Sequence, residues 1–160
     1  VNIVRRAEQV ELLKSLGAKY VVNSSADNYF DEMKSLFREL NVTLALDAVA
    51  GNITFDLMET LPAGGEVMMY GGLSGQPIST RHGKLIFENK KLSGFWASEW
   101  ITHQPIWKLL TMFNKIQKHI SKSHQISIQK RIPLEEGPEG LSVYVKNMTS
   151  GKVLIKPGMG

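Results

Sequence analysis

The stretch from Thr43 to Gly75, TLALDAVAGNITFDLMETLPAGGEVMMYGGLSG, constrains the fold more than any other part of the chain. It opens with a short apolar run, Leu44 to Leu46 and Ala48 to Val49, that stops at Ala50-Gly51. Ile53, Leu57 and Leu61 then fall on one helical face, closed by Pro62 and Gly64-Gly65. A second apolar run, Val67 to Tyr70, breaks at Gly71-Gly72 and again at Gly75. Strand, helix, strand with glycines at the carboxyl end of each strand is the pattern of a parallel-sheet unit. Ligands of such sheets sit outside the carboxyl ends of the strands, where small residues let them approach the backbone. A plain βαβ unit whose glycines only make turns has the same pattern, so these residues alone leave both readings open.

The flanks repeat the pattern. Val1 to Val4 reads as a buried strand, and Val10, Leu13 and Leu16, with Leu12 beside them, follow at helical spacing. Gly17 fits the left-handed position just past a helix end. Lys19 to Val22 is the next strand, and Asn23 to Asn28 a polar connection with Asp27 as its N-cap. Phe30, Met33, Phe37 and Leu40 give a second amphipathic helix. The first half is thus β-α-β-α-β-α-β, and a doubly wound α/β sheet is the natural outcome. Further on, Leu85, Ile86 and Phe87 read as core and Leu92 to Ala97 as a strand. Ile106, Leu109, Leu110, Phe113, Ile116 and Ile120 share one helical face and also read as core. The tail reads as a strand, a helix around Gly137 to Met148, a turn at Ser150-Gly151 and a strand from Lys152 to Lys156.

Composition narrows the class without deciding the function. With 160 residues, 42% hydrophobic and 21% charged, the chain suits one domain with a real core. It has no run apolar enough to span a membrane and no signal-peptide pattern. Its start in mid-pattern, without a methionine, reads as a piece of a longer chain. The absence of cysteine excludes disulfides and thiolate zinc sites within this segment. A net charge of +4 suits nucleic acid or membrane surfaces, but the cations are scattered, so anionic small molecules fit equally well.

Arg5-Arg6 carries the first chemistry. In a dinucleotide fold an acid at this strand end binds the adenosine ribose, whereas arginine accommodates a 2′-phosphate. Two arginines directly after Val4, with no acid before Glu8, favour NADP over NAD. The alternative is a solvated pair at a helix start, an electrostatically poor place for cations. Phe95-Trp96 after Gly94 fits a nicotinamide or acyl pocket, and equally fits ordinary packing. His82, His103, His119 and His124 lack metal-ligand spacing and read as surface or local hydrogen-bonding residues. No Ser-His-Asp order is convincing.

With VELLKSLGA then KYVVNS, the strand end LDAVAG, LPAGGEVMMYGGLSG and the closing SGKVLIKPG, the chain resembles the C-terminal portion of a medium-chain dehydrogenase/reductase over essentially its whole length. YGGLSG with KLSGFWASEW is most similar to the mitochondrial trans-2-enoyl-CoA reductases, and the zinc-free quinone oxidoreductases come next. The resemblance implies a Rossmann-type sheet lacking its first strand and glycine-rich turn over residues 1–98. Residues 99–160 would then return to the catalytic domain. It also implies cofactor-binding roles. Arg5, Arg6 and Ala7 match the strand end that holds the 2′-phosphate, where those reductases carry Arg-Asp-Arg and Ala7 departs. Tyr70, Gly71, Gly72 and Leu73 match the loop passing the nicotinamide ribose, and Phe95, Trp96, Ala97 and Ser98 the segment beside the ring. Lys152 matches a late lysine that reaches the cofactor; by itself it reads as a solvated strand-start lysine.

The function so implied is NADPH-dependent reduction of a trans-2-enoyl thioester in fatty acid synthesis, without zinc, in a mitochondrial (or else cytoplasmic) homodimer. The proton-donating tyrosine belongs to the upstream catalytic domain, so no catalytic residue is assigned here. NADPH:quinone reduction is the enzymatic alternative; a non-catalytic structural or nucleic-acid-binding relative is the alternative from another class. The implied strand order 3-2-1-4-5-6 puts the first strand between those at Val1 and Thr43. Residues 1–160 are therefore expected not to be an independent folding unit and, on their own, to bind NADPH weakly or not at all and to show no reductase activity. Another polypeptide must supply that strand and the catalytic domain, or the two strands must pair directly.

Overall fold

The structure, a computed structural model, describes residues 1–123, 128–146 and 151–157. The chain divides into two compact units, Val1–His103 and Gln104–Gly160, and each is described by itself. The first unit alternates strand and helix: β1 (Asn2–Val4), α1 (Ala7–Ser15), β2 (Val21–Asn23), α2 (Tyr29–Glu39), β3 (Leu44–Asp47), α3 (Asn52–Thr60), β4 (Glu66–Met69), α4 (His82–Ile86), β5 (Lys91–Gly94) and α5 (Ala97–Thr102). All of its strand pairs are parallel. β1 pairs with β2, while β3, β4 and β5 form a second sheet in that order, with Ala45 opposite Val67 and Val67 opposite Leu92. The expected doubly wound α/β class is the one observed. The direct pairing of β1 with β3 does not occur; an open cleft lies between them.

The core sits under one face of these strands. Val22, Ala45 and Val67 pack with Met33 and Phe37 of α2 and with Leu57, Met58 and Leu61 in and just after α3. These are the apolar periods of the two helices, and they bury as their spacing requires. On β3 the burial alternates. Ala45 and Asp47 are buried, whereas Leu44 and Leu46, on the other face, are exposed.

Several local readings need correction. The N-cap of α2 is Asn28, not Asp27. Leu85, Ile86 and Phe87 are not core: they lie in and just after the short α4, and Phe87 is 83% exposed. An apolar triplet without a helical repeat specifies no buried face. The strand at Leu92 ends at Gly94, and Ala97 opens α5 instead of closing a strand. Gly17 takes the expected left-handed conformation, φ 93°. Its helix α1, however, leaves Leu12 and Leu16 exposed.

The second unit holds α6 (Ile106–Ser123), β6 (Ile128–Ile132), a 3-10 turn (Leu134–Glu136), α7 (Gly137–Lys146) and β7 (Lys152–Ile155). β6 and β7 pair in parallel, and Ile132 is fully buried close to Gly140 of α7. The apolar stripe of α6 is helical as its spacing predicts, yet Ile106, Leu110, Phe113, Ile116 and Ile120 are exposed rather than core. Periodicity specifies a face and leaves open what covers it. His124, the end of the expected helix at Asn147-Met148, and Ser150 of the expected turn lie outside the described residues. No helix among the described residues is long and apolar enough to cross a membrane.

Candidate active site

Parallel strands place their carboxyl ends on one rim, and the loops leaving those ends build the site. After β3 the chain turns sharply through Ala48 to Gly51. The buried Asp47 carboxylate shapes the turn: Oδ1 accepts the amides of Val49 (2.8 Å) and Ala50 (3.0 Å), while Oδ2 accepts Thr54 Oγ1 at 2.6 Å. These bonds hold Ala50 at φ 64° and Gly51 at φ 74°, backbone that an alanine adopts only when its surroundings impose it. After β4, Leu73 and Ser74 donate their amides to the carbonyls of Ala48 and Val49, which ties the two turns together. Gly71 passes so close that a Cβ there would sit 2.8 Å from the Ala48 carbonyl oxygen. A side chain is excluded at that point by the Ala48 backbone, so glycine lets the two turns pack together.

Two clefts open along this rim. One, of about 640 Å³, is lined by Ala50, Met69, Tyr70, Gly71, Gln76, Ile78, Gly94, Phe95 and Trp96. The other, of about 670 Å³, runs between β1 and β3 and reaches the rim at Arg5, Ser24, Ala48, Val49 and Tyr70. Tyr70 borders both, with the basic strand end at Arg5 lining one and the aromatic wall at Phe95-Trp96 lining the other.

The structure therefore brings Tyr70, Gly71, Phe95 and Trp96 together, with Arg5 beside the adjoining cleft. Arg6, Ala7, Gly72, Leu73, Ala97 and Ser98 do not line either cleft. Arg6 pairs with Glu8 at 3.5 Å, which offsets part of the cost of a cation at the start of α1. Gln9 Oε1 accepts the amides of Arg5 (3.2 Å) and Arg6 (3.1 Å), and Ser25 Oγ donates to the Arg5 carbonyl at 2.7 Å, so the basic strand end is well anchored. Gly72 and Leu73 are exposed, and Ala97 and Ser98 form the first turn of α5. Lys152 belongs to the second unit, where its Nζ donates to Tyr144 Oη at 2.8 Å.

Sequence reasoning passed over Asp47, Thr54, Ala50, Gln76 and Ile78. An acid inside an apolar strand was a signal for Asp47, since a buried carboxylate requires donors. Gln76 and Ile78 carry no such signal. Of the histidines, His103 is exposed with Nδ1 2.8 Å from the Glu99 carbonyl, a local contact of the kind expected. Among the described residues no three His, Cys, Asp or Glu side chains converge as a metal site would need.

Residues 1–113 match the family described as zinc-binding dehydrogenase. The mouse mitochondrial enoyl-[acyl-carrier-protein] reductase is 32% identical over 97% of this chain and 43% of its own length. The chain thus spans less than half the length of that relative. A crystal structure of a Mesorhizobium loti protein assigned as an NADPH:quinone reductase superposes with a TM-score of 0.82 at 30% identity, covering 97% of this chain and 45% of that one. Etr1p of Candida tropicalis, solved with NADP and crotonyl-CoA, shares the fold at a TM-score of 0.73 and 23% identity, over 96% of this chain and 46% of that one. The described residues do not supply a zinc donor set, whatever the family's name. The chain belongs to the zinc-binding dehydrogenase family and corresponds to the C-terminal portion of a medium-chain dehydrogenase/reductase.

Proposed function

We propose that this chain is the NADPH-binding part of a zinc-independent reductase that acts on trans-2-enoyl thioesters. The observation that carries the reading is the pair of clefts at the strand ends that share Tyr70, one bordered by Arg5 and the other by Gly71 and Phe95-Trp96. A basic end suits a 2′-phosphate, an open backbone suits the ribose and pyrophosphate, and an aromatic wall suits the nicotinamide and an acyl group. When bound, NADPH supplies the hydride for the β-carbon of the unsaturated thioester. The chain's own residues do the positioning. The Asp47-anchored turn holds Ala50 at the wall of the cleft, Gly71 lets the β4 loop pack against Ala48 beside it, and Phe95 and Trp96 limit water at the reacting face. The names of the relatives support an enoyl thioester over other substrates and a mitochondrial setting.

In this reading residues 1–98 form the NADP domain and 99–160 belong to the catalytic domain, with Arg6, Ala7, Gly72, Leu73, Ala97, Ser98 and Lys152 completing the cofactor contacts in the assembled homodimer. The proton for the α-carbon comes from a group outside this chain. Quinone reduction is the second reading, favoured by the 30% identity to the Mesorhizobium loti protein. The test is the oxidation of NADPH by the complete protein with crotonyl-CoA and with a benzoquinone. A kcat/KM at least tenfold higher for the thioester is expected. Quinone preference would promote the second reading, and no turnover with either substrate would end both.

A further inference from the structure

We propose that Gln76 recognises the nicotinamide carboxamide, its side-chain amide pairing with the amide of the cofactor and so fixing how the ring is turned in the cleft. The inference rests on the NADPH reading above and carries it to one residue. It starts from the make-up of the cleft at Phe95-Trp96. The volume, about 640 Å³, falls within the roughly 300–1,000 Å³ usual for small-molecule sites, which are mostly apolar with a few polar groups that fix orientation. Here Ala50, Met69, Ile78, Phe95 and Trp96 make the apolar wall, and no charged side chain among the described residues lines it. Two polar side chains remain, Tyr70 and Gln76.

Gln76 is held by its backbone and free at its head. Its N–H donates to Ser74 Oγ at 3.2 Å, and the Ser74 N–H donates to the Val49 carbonyl at 2.8 Å. Its Cβ rests on the start of α3, where a Cβ built on Gly51 would lie 3.1 Å from it. Beyond Thr80 the loop is tied down again, since Arg81 and Lys84 approach the nearly buried Glu59 carboxylate at 3.7 Å and 3.6 Å. The side-chain amide of Gln76 makes no hydrogen bond among the described residues. In the open cleft it is exposed, and water satisfies it. Once a ring occupies an apolar cleft that water is displaced, and the amide then needs a partner on the ring itself.

A dihydronicotinamide is a flat apolar ring with one polar substituent, and that substituent sets the match. A carboxamide carries a C=O and N–H donors side by side, and a glutamine amide offers the same pair in reverse order, so one side chain answers both. The Tyr70 phenol has a single O–H and borders the second cleft as well. A thioester carbonyl would take one N–H and leave the Gln76 oxygen without a partner. Hydride transfer requires a fixed ring face, and the carboxamide is the handle that sets it.

The test is cofactor binding by the complete protein, native and Gln76→Leu, measured by calorimetry with three probes. They are NADPH, its 3-acetylpyridine analogue (an acetyl group in place of the carboxamide, so no N–H donors) and 2′,5′-ADP, which has the phosphate end and no nicotinamide. The native protein should bind NADPH at least fivefold more tightly than the analogue. Gln76→Leu should weaken NADPH about tenfold, the scale of one or two lost hydrogen bonds, and narrow that preference to less than twofold. Binding of 2′,5′-ADP should stay within twofold. Unchanged NADPH affinity, or a preference that persists in the variant, would overturn the proposal and leave the reductase reading standing. If the unchanged affinity came with a raised KM for crotonyl-CoA, Gln76 would belong to the thioester instead. Equal weakening of NADPH and 2′,5′-ADP would overturn the proposal in favour of a purely structural role for the loop. No binding of NADPH by the native protein would overturn both the proposal and the reductase reading.

Discussion

The Asp47 carboxylate holds Thr54 Oγ1 at 2.6 Å, which fastens the end of β3 to the first turn of α3 across the loop that lines the candidate cofactor cleft. The same carboxylate takes the amides of Val49 and Ala50, so one buried acid sets the whole turn. Hydrogen bonds to a charged group are worth about 1.5–3 kcal/mol each and are not additive within one network. Asp47→Ala should therefore destabilise by about 2–4 kcal/mol in urea unfolding, and Thr54→Val by about 1–2 kcal/mol. A loss below about 0.5 kcal/mol for Asp47→Ala would mean that the turn is held by something else.

Gly71 has no room for a side chain toward Ala48, where an added Cβ would lie 2.8 Å from a carbonyl oxygen that backbone, not a flexible tip, presents. Gly71→Ala should shift the β4 loop and lower NADPH affinity at least tenfold in the complete protein. Gly72→Ala, whose Cβ would meet nothing within 4 Å, should change it less than twofold. Similar effects of the two substitutions in a cofactor titration would place the close approach elsewhere.

Arg5 borders the cleft and Arg6 sits beside it in an ion pair with Glu8. Replacing both by Ala should weaken NADPH by about 1–3 kcal/mol more than NADH, the scale of lost charge-assisted bonds to a phosphate. Parallel binding curves for the two cofactors measure this directly. An equal loss for both would remove the 2′-phosphate from the assignment.

Tyr29 of α2 donates its hydroxyl to Asp56 of α3. Burial, then the hydrogen bond and charge of Asp56, push its pKa from 10.0 up to about 12. A raised pKa means that the stabilisation is complete below pH 10 and is lost as pH rises through 12. The stability difference between the native protein and Tyr29→Phe should be constant up to about pH 10 and shrink above it. Urea midpoints of both proteins at several pH values decide the point, and a difference still undiminished at pH 12 would contradict it.

Lys90, buried just before β5, donates to the Met58 carbonyl near the end of α3 at 2.7 Å and to Glu88 at 2.8 Å. Lys84 also binds Glu88, at 2.8 Å; the bonds from Lys84 and then Lys90 hold the Glu88 carboxyl below its ordinary range. Lys90→Met keeps the aliphatic stem, and Glu88 retains Lys84. The cost should then be that of one orphaned helix carbonyl, about 1–3 kcal/mol, rather than the 3–5 typical of a stranded buried charge. A larger loss would show that Lys84 does not compensate.

Local chemistry written into the sequence determined the order of elements from β1 to β4, the parallel class and the core face of α2 and α3. Met33, Phe37, Leu57 and Leu61 repeat at helical spacing, and Ala45 and Val67 sit in short strands, so the period marks the faces that the core then covers. Glycines and arginines at strand ends likewise marked Arg5, Tyr70, Gly71, Phe95 and Trp96, because a parallel sheet puts every carboxyl end on one rim. Only the tertiary structure decided which of those residues share a cleft, since Phe95 and Trp96 meet Tyr70 through the β4–β5 register and not through any sequence spacing. It also decided that Leu44, Leu46, Phe87 and the α6 stripe are exposed. An apolar period states that a face prefers burial, but what covers that face is a long-range fact of the assembled chain. The role of Asp47 had the same dependence. A carboxylate in an apolar strand demands donors, and only the fold of the following turn brings Val49, Ala50 and Thr54 round to supply them.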